Sequence, residues 1–143
     1  AAQPAAQPAQ PAAVQPAKPA AVTEADCEAH KARKAMLDAT TAAKGKVEHV
    51  KMDTGVMTVM TVDAKKMAGL DKAAGEMGAV MKKAHDGSAK LCDECHGTMA
   101  AMKSGKAMNG VAKLSNGYAT VMLTADSEMV KALHAKAEPA AKK

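Results

Sequence analysis

The sequence predicts an α+β fold in which a helix–β-hairpin–helix unit occurs twice, with both hairpins joined in one four-stranded antiparallel sheet that helices cover on one face. Two observations predict it. Helical and strand-like patterns follow one another in the same order in both halves, and identical residues recur at matching positions. We divide the chain into a linker at 1–22, a first repeat at 23–86, a second repeat at 87–138 and a short tail at 139–143.

The composition of residues 1–22 is typical of a disordered linker. Five of the six prolines fall in this Ala/Pro/Gln-rich segment, and Lys18 is its only charged residue. Proline at such short spacing favours extended polyproline II and prevents a packed helix. We therefore expect a tether here, and a frayed end at 139–143.

The first repeat opens on a helix signal. Thr23 and Asp26 have the spacing of a capping box, which predicts a helix with Thr23 as its N-cap. The helical pattern continues to about Lys44, and Gly45 is a suitable end signal.

A hairpin and a second helix follow. The segments 47–52 and 56–62 are strand-like, and Asp53-Thr54-Gly55 between them indicates a β-turn. Asp63 then caps a longer helix whose apolar residues recur at steps of three and four. These residues are Met67, Leu70, Ala74, Met77, Met81 and Ala84.

The second repeat has the same order of elements. Asp86-Gly87-Ser88 ends the preceding helix, and a new helix is expected to run through Cys92 to about Lys103. Strands are predicted at 111–115 and 118–124.

Two signals complete this repeat. Asn116-Gly117 between the strands is suited to a type I′ turn. Asp126 is the expected N-cap of a last helix that reaches about Ala137.

Residue identities support an internal duplication. In the hairpins, Gly55, Thr58, Val59 and Met60 match Gly117, Thr120, Val121 and Met122 at one constant offset. In the preceding helices, Glu28 and His30 match Glu94 and His96. A pseudo-twofold axis between two such units is expected to bring the first helices, with His30 and His96, towards each other.

The composition limits what the chain can do. Aromatic residues make up 1% of it, and twelve methionines supply most of the apolar bulk, so the core is thin and would gain from a bound metal or cofactor. The net charge of +5 comes almost wholly from lysine, because Arg33 is the only arginine. Scarce arginine and aromatics argue against nucleic-acid binding.

Cys92-Asp-Glu-Cys95-His96 is the motif with the clearest chemical meaning. A histidine directly after a CxxC pair is the attachment sequence of c-type haem. At these five positions the chain resembles c-type cytochromes. The resemblance implies haem c, thioether bonds at Cys92 and Cys95, and axial ligation of the iron by His96. We expect His30 as the sixth ligand, which gives a low-spin iron suited to electron transfer or redox sensing.

Cys27 allows a second interpretation without haem. Cys27 and His30 are three positions apart on one helix, as Cys92 and Cys95 are on another. If the pseudo-twofold brings them together, they form a Cys3His set suited to zinc or copper(I). A third possibility is a redox-active Cys92–Cys95 pair, although the parallel βαβ arrangement of thioredoxin-like folds is missing from the pattern.

The expected function is therefore an exported mono-haem electron carrier or redox sensor, with a non-haem metal-binding protein as the alternative. Haem attachment implies a periplasmic or other extracytoplasmic location, with any signal peptide already removed. The lysines are suited to docking an acidic redox protein, and the linker to holding the protein near a membrane. No motif for an enzyme is found.

Overall fold

The computed structural model describes residues 20–138, so nearly all of the predicted linker, and the tail at 139–143, lie outside the described part. The order of elements confirms the α+β prediction and its repeated helix–strand–strand–helix pattern. The elements are α1 (Glu28–Ala42), β1 (Lys46–Met52), β2 (Gly55–Thr61), a short 3-10 turn (Ala64–Lys66), α2 (Met67–Asp86), α3 (Asp93–Lys103), β3 (Ala107–Leu114), β4 (Gly117–Thr124) and α4 (Ser127–Ala137).

The two hairpins form one antiparallel sheet with the strand order β1-β2-β4-β3. The second strand of each hairpin pairs with the other at the centre, so that Gly55 lies opposite Leu123 and Thr61 lies opposite Gly117. This register is the one a pseudo-twofold axis requires. It confirms that the two repeats are related by symmetry within a single sheet.

Two glycines permit the central pairing. A Cβ atom on Gly55 would lie 1.8 Å from the carbonyl oxygen of Met122, and one on Gly117 would lie 1.8 Å from that of Met60. The type I′ prediction for this turn is wrong, because neither Asn116 nor Gly117 has a positive φ. Gly117 is the first residue of β4, where it is needed for close approach rather than for turn geometry.

The main core lies between α1, α2 and the helix-covered face of the sheet. Met36, Met60 and Leu70 are buried there. Tyr118, the only aromatic residue, joins them and donates a hydrogen bond of 2.6 Å from its hydroxyl to Oδ1 of Asp71 on α2. In the second repeat, α4 packs against β2. Most of the buried hydrophobic residues of the described chain are alanine and methionine.

The first helix begins and ends inside its predicted bounds. The Asp26 amide donates the expected hydrogen bond to the Thr23 hydroxyl, at 3.2 Å. These two residues, however, form a separate turn before the helix rather than its first turn. The N-cap of α1 is Cys27. At the other end, Lys44 rather than Gly45 takes the left-handed conformation, with φ of 55°.

Three further bounds differ from the prediction. Asp63 caps the short 3-10 turn through the amide of Lys65, and α2 starts only after it. Helix α3 begins at Asp93 with Cys92 as its N-cap, because the residues before it extend along α1 instead of continuing a helix. Strand β3 starts at Ala107, ahead of the β-branched residue Val111 that marked it in the sequence. Among residues 20–138, no helix combines the length and apolar character needed to cross a bilayer.

Candidate metal centre

Four soft ligands converge at the N-termini of α1 and α3. Cys27 is the N-cap of α1 and His30 is the third residue of that helix, while Cys92 and Cys95 occupy the same two positions of α3. The donor atoms of all four side chains lie within 4.8 Å of one another. The structure therefore contains a cluster that can hold a metal ion, and it is the Cys3His set considered as the alternative to haem.

Glu28 holds the two halves of the cluster together. The segment before α3 lies against the first turn of α1, where the Glu28 amide donates 2.9 Å to the carbonyl of Lys90. The Lys90 amide donates in return to Oε2 of Glu28 at 2.6 Å, and Lys83 Nζ lies 2.7 Å from Oε1. These contacts fix Cys92 beside Cys27, and they hold the pKa of Glu28 below its usual value, through Lys83 first and then the Lys90 amide.

The thiols lie in a second, smaller core. Cys27 is fully buried and Cys92 is 7% exposed, whereas Cys95 is half-buried. Ala84 and Leu91 pack around them. Because apolar surroundings disfavour free thiolates, a cluster in this place gains most when a cation is present to neutralise the charge.

His30 presents a free nitrogen in this site. Its Nδ1 lies 3.3 Å from Oε1 of Glu24. Within the described part of the chain, its Nε2 is the one buried side-chain nitrogen or oxygen that has no hydrogen-bond partner. A carboxylate on one imidazole nitrogen fixes the tautomer and leaves the other nitrogen as a lone-pair donor, which is the usual arrangement of a metal-bound histidine.

The thiols differ in their affinity for protons. Burial opposes ionisation of Cys27, yet hydrogen bonds from the backbone of Cys92 and of His30, and from the thiols of Cys95 and Cys92, outweigh it and lower the pKa of Cys27 to about 7. Burial first, and then the hydrogen bonds and negative charge of the neighbouring sulfurs, raise the pKa of Cys95. Of these two thiols, Cys27 is therefore the one that ionises first as the pH rises.

His96 does not belong to the cluster. It is exposed on α3, and its amide donates to the carbonyl of Cys92 in the first turn. Counted from the N-caps, the position of His30 in α1 corresponds to Cys95 in α3, so the expected match of His30 with His96 is shifted by one residue. The structure thus places His30 beside the two CxxC cysteines and leaves His96 at the surface.

The donor set is suited to tetrahedral coordination. Zinc binds thiolate at about 2.3 Å and imidazole at about 2.0–2.1 Å, and these lengths place neighbouring donors a little under about 4 Å apart. A small contraction of the present cluster reaches that distance. Thiolates also bind copper(I), so the donor set by itself admits both metals.

Glu24 and Glu28 are site residues that the sequence analysis missed. Glu24 lies three positions before Cys27, and Glu28 directly follows it. An acidic side chain at the start of a helix is favoured by the helix dipole, and that is its ordinary explanation. The separation of Glu24 and His30 in the sequence does not predict their contact, because the contact depends on the turn that precedes α1.

Comparison with known proteins adds no relative. No protein-family description matches the chain, and neither the curated proteins nor the solved structures give a match.

Proposed function

We propose that this protein binds one soft metal ion, zinc or copper(I), through Cys27, His30, Cys92 and Cys95. The convergence of these four donors within 4.8 Å carries the proposal. It is supported by the unpartnered Nε2 of His30, because a buried nitrogen without a hydrogen bond is costly unless it binds a ligand, and by the burial of Cys27 beside it.

The role we propose is binding rather than catalysis. Four protein ligands complete a tetrahedral shell and leave no open position for a substrate or an activated water, as catalytic zinc sites require. Two ligands come from each repeat, so a bound ion links α1 to α3. Metal loading then stabilises the fold, since the thin alanine and methionine core gains a further link.

Haem attachment to Cys92 and Cys95 stays a prediction. It uses both cysteines as thioethers and His96 as the axial ligand, and it assigns no role to Cys27. The exposure of His96 and the burial of Cys92 against Cys27 favour the thiolate set.

One experiment tests the proposal against haem. The reduced, metal-free full-length chain is titrated with Co2+, a spectroscopic stand-in for Zn2+. We expect the intense visible bands of tetrahedral cobalt and thiolate-to-cobalt charge transfer, saturating at one equivalent. Cys27→Ser removes these bands, and His96→Ala, the matched control, keeps them.

The contrary result is equally definite. Protein purified from its native host is extracted with acid acetone and examined as its pyridine haemochrome. Haem that stays with the polypeptide, together with loss of the cofactor in His96→Ala but not in Cys27→Ser, rejects the Cys3His proposal.

A further inference from the structure

A cavity adjoins the metal centre between the helices and the sheet. Its volume is about 280 Å³, and His30 and Cys95 are among its lining residues. Seven of the twelve methionines of the chain also line it. Met36, Met60 and Met77 of this set pack in or against the main core, and the others line the open space beside the thiol cluster.

Three of these methionines also reach the surface. Met81, Met99 and Met102 line both the cavity and an open depression next to it, which is bordered by His85 and Met108. The same side chains therefore form the wall between the solvent and the space beside Cys95.

The helix spacing places Met99 and Met102 on the same face of α3 as Cys95. Met99 is four residues after Cys95 and Met102 is three residues after Met99, so the three side chains lie along one face of α3. Met77 and Met81, four residues apart, lie along one face of α2 and line the same cavity. We name the set Met81, Met99 and Met102 the methionine row; it borders both the depression and the cavity that Cys95 also lines.

We propose that the methionine row is a transfer path for Cu(I) between the surface and the Cys3His centre. This inference rests on the proposed function and narrows its metal to copper(I). Thioethers are soft, neutral ligands that bind Cu(I) well and Zn2+ poorly. A monovalent ion with neutral ligands also costs less to desolvate in an apolar cavity than a divalent one.

The transfer is a series of ligand exchanges without a change of oxidation state. Cu(I) leaves its donor for the thioethers of Met81, Met99 and Met102, and then forms bonds with the thiolates as its thioether bonds break. Any thiol that becomes a ligand releases its proton to water. The anionic thiolates bind more tightly than the thioethers, which gives the transfer its direction.

The first test measures the rate of Cu(I) uptake by the full chain from a bicinchoninate complex without oxygen. We expect the double variant Met99→Leu/Met102→Leu to take up Cu(I) several-fold more slowly than wild type, with the same amount bound at the end. Met57→Leu, on the uncovered face of the sheet, is the matched control and keeps the wild-type rate. Uptake of Co2+ is unchanged in both variants.

Two results would overturn the path. One is an unchanged rate of Cu(I) uptake in the double variant, and the other is an equal slowing of Co2+ uptake, which indicates only altered access. The single variant Met81→Leu repeats the test from α2, in case the double change in α3 disturbs folding.

A second measurement keeps this inference separate from the metal centre itself. In Cys27→Ser/Cys92→Ser/Cys95→Ser, the ε-methyl NMR signals of Met81, Met99 and Met102 are expected to shift when Ag(I), an air-stable analogue of Cu(I), is added. The signal of Met57 should not move, and Zn2+ should move none of them. Absence of the Ag(I) shifts rejects the methionine row even if the four-residue centre binds metal. If the Ag(I) shifts occur but wild type binds neither Co2+ nor Cu(I) through its cysteines, the row binds soft ions but the centre, and therefore the transfer to it, is rejected.

Discussion

Thr58 and Thr120 lie directly opposite each other at the centre of the sheet, and each holds the same position in its repeat. The pseudo-twofold axis passes between them. Towards the ends of the same strand pair, Gly55 and Gly117 make equivalent backbone contacts with Met122 and Met60. The pairing of β2 with β4 is thus symmetric, and its two glycines occupy equivalent positions.

This symmetry predicts the cost of filling the glycine positions. Gly117→Ala forces a Cβ against the backbone of Met60, so we expect it to lower the free energy of unfolding by about 3 kcal/mol. Gly78→Ala, at an exposed position of α2 with nothing nearby, should instead raise it by about 1 kcal/mol. Urea denaturation followed by circular dichroism measures both; similar effects of the two substitutions would contradict the close central approach.

The proposed metal centre predicts a substitution that changes stability only when metal is present. Serine is a preferred N-cap and cysteine is not, so Cys27→Ser should leave the metal-free protein about as stable as wild type. Free metal at about a thousand times the dissociation constant should stabilise wild type by about 4 kcal/mol and leave the variant unchanged. Thermal unfolding with and without Zn2+ checks this. A variant that is stabilised as much as wild type would show that the ion binds elsewhere.

The unequal thiols predict a titration in the neutral range. The pKa of Cys27 is lowered to about 7, so its thiolate forms as the pH rises through that value, while the raised pKa of Cys95 keeps that thiol protonated. We expect an ultraviolet thiolate step near pH 7 in the metal-free protein. Cys27→Ser should remove the step. Cys95→Ser should keep it but shift it upward, because the thiol of Cys95 no longer donates to Cys27.

Glu28 predicts a loss of stability in acid. Its pKa is held below the ordinary value of 4.5 by Lys83 and the Lys90 amide, so its contribution is complete above about pH 4.5 and disappears as the pH falls through the lowered value. Glu28→Gln should therefore be less stable than wild type at neutral pH, and the difference should vanish in acid.

A matched control separates this effect from ordinary charge loss. Glu128→Gln removes an exposed carboxylate that pairs with Lys131 on the same helix, and it should change stability little at any pH. Glu28→Gln should also weaken Co2+ binding, since the segment that carries Cys92 loses its ionic contact with α1. A Co2+ affinity equal to that of wild type would exclude Glu28 as a positioning residue.

Much of the fold could be predicted from local strand patterns and from the residues that recur in the two repeats. The hairpin strands were predicted within about a residue in the first repeat, and the repeated Gly55 and Gly117 segments indicated the duplication. The start of α1 was missed because Thr23 has a better capping side chain than Cys27, whereas Asp126 was correctly predicted as the N-cap of α4.

The site was predicted as an alternative because its two halves depend on a contact that no local pattern encodes. Cys27 meets Cys92 through the packing of α1 on α2, whose Ala84 lies in the same small core, and through the docking of Lys90 on Glu28. The shared residues of α1 and α3 also favoured a correspondence of His30 with His96. In the structure the N-caps Cys27 and Cys92 correspond instead, so Cys95 takes the position equivalent to His30. His96 is the next residue along α3 and therefore lies at the surface.

The even division of the ligands between the repeats has a consequence for the ancestry of the chain. Each repeat supplies one N-cap cysteine and one possible donor three residues later, which is half of the coordination shell that we propose. A precursor with a single repeat could complete the shell only as a homodimer about a true twofold axis. Joining two copies in one chain makes the site independent of protein concentration and allows its ligands to differ, with His30 in one half and Cys95 in the other.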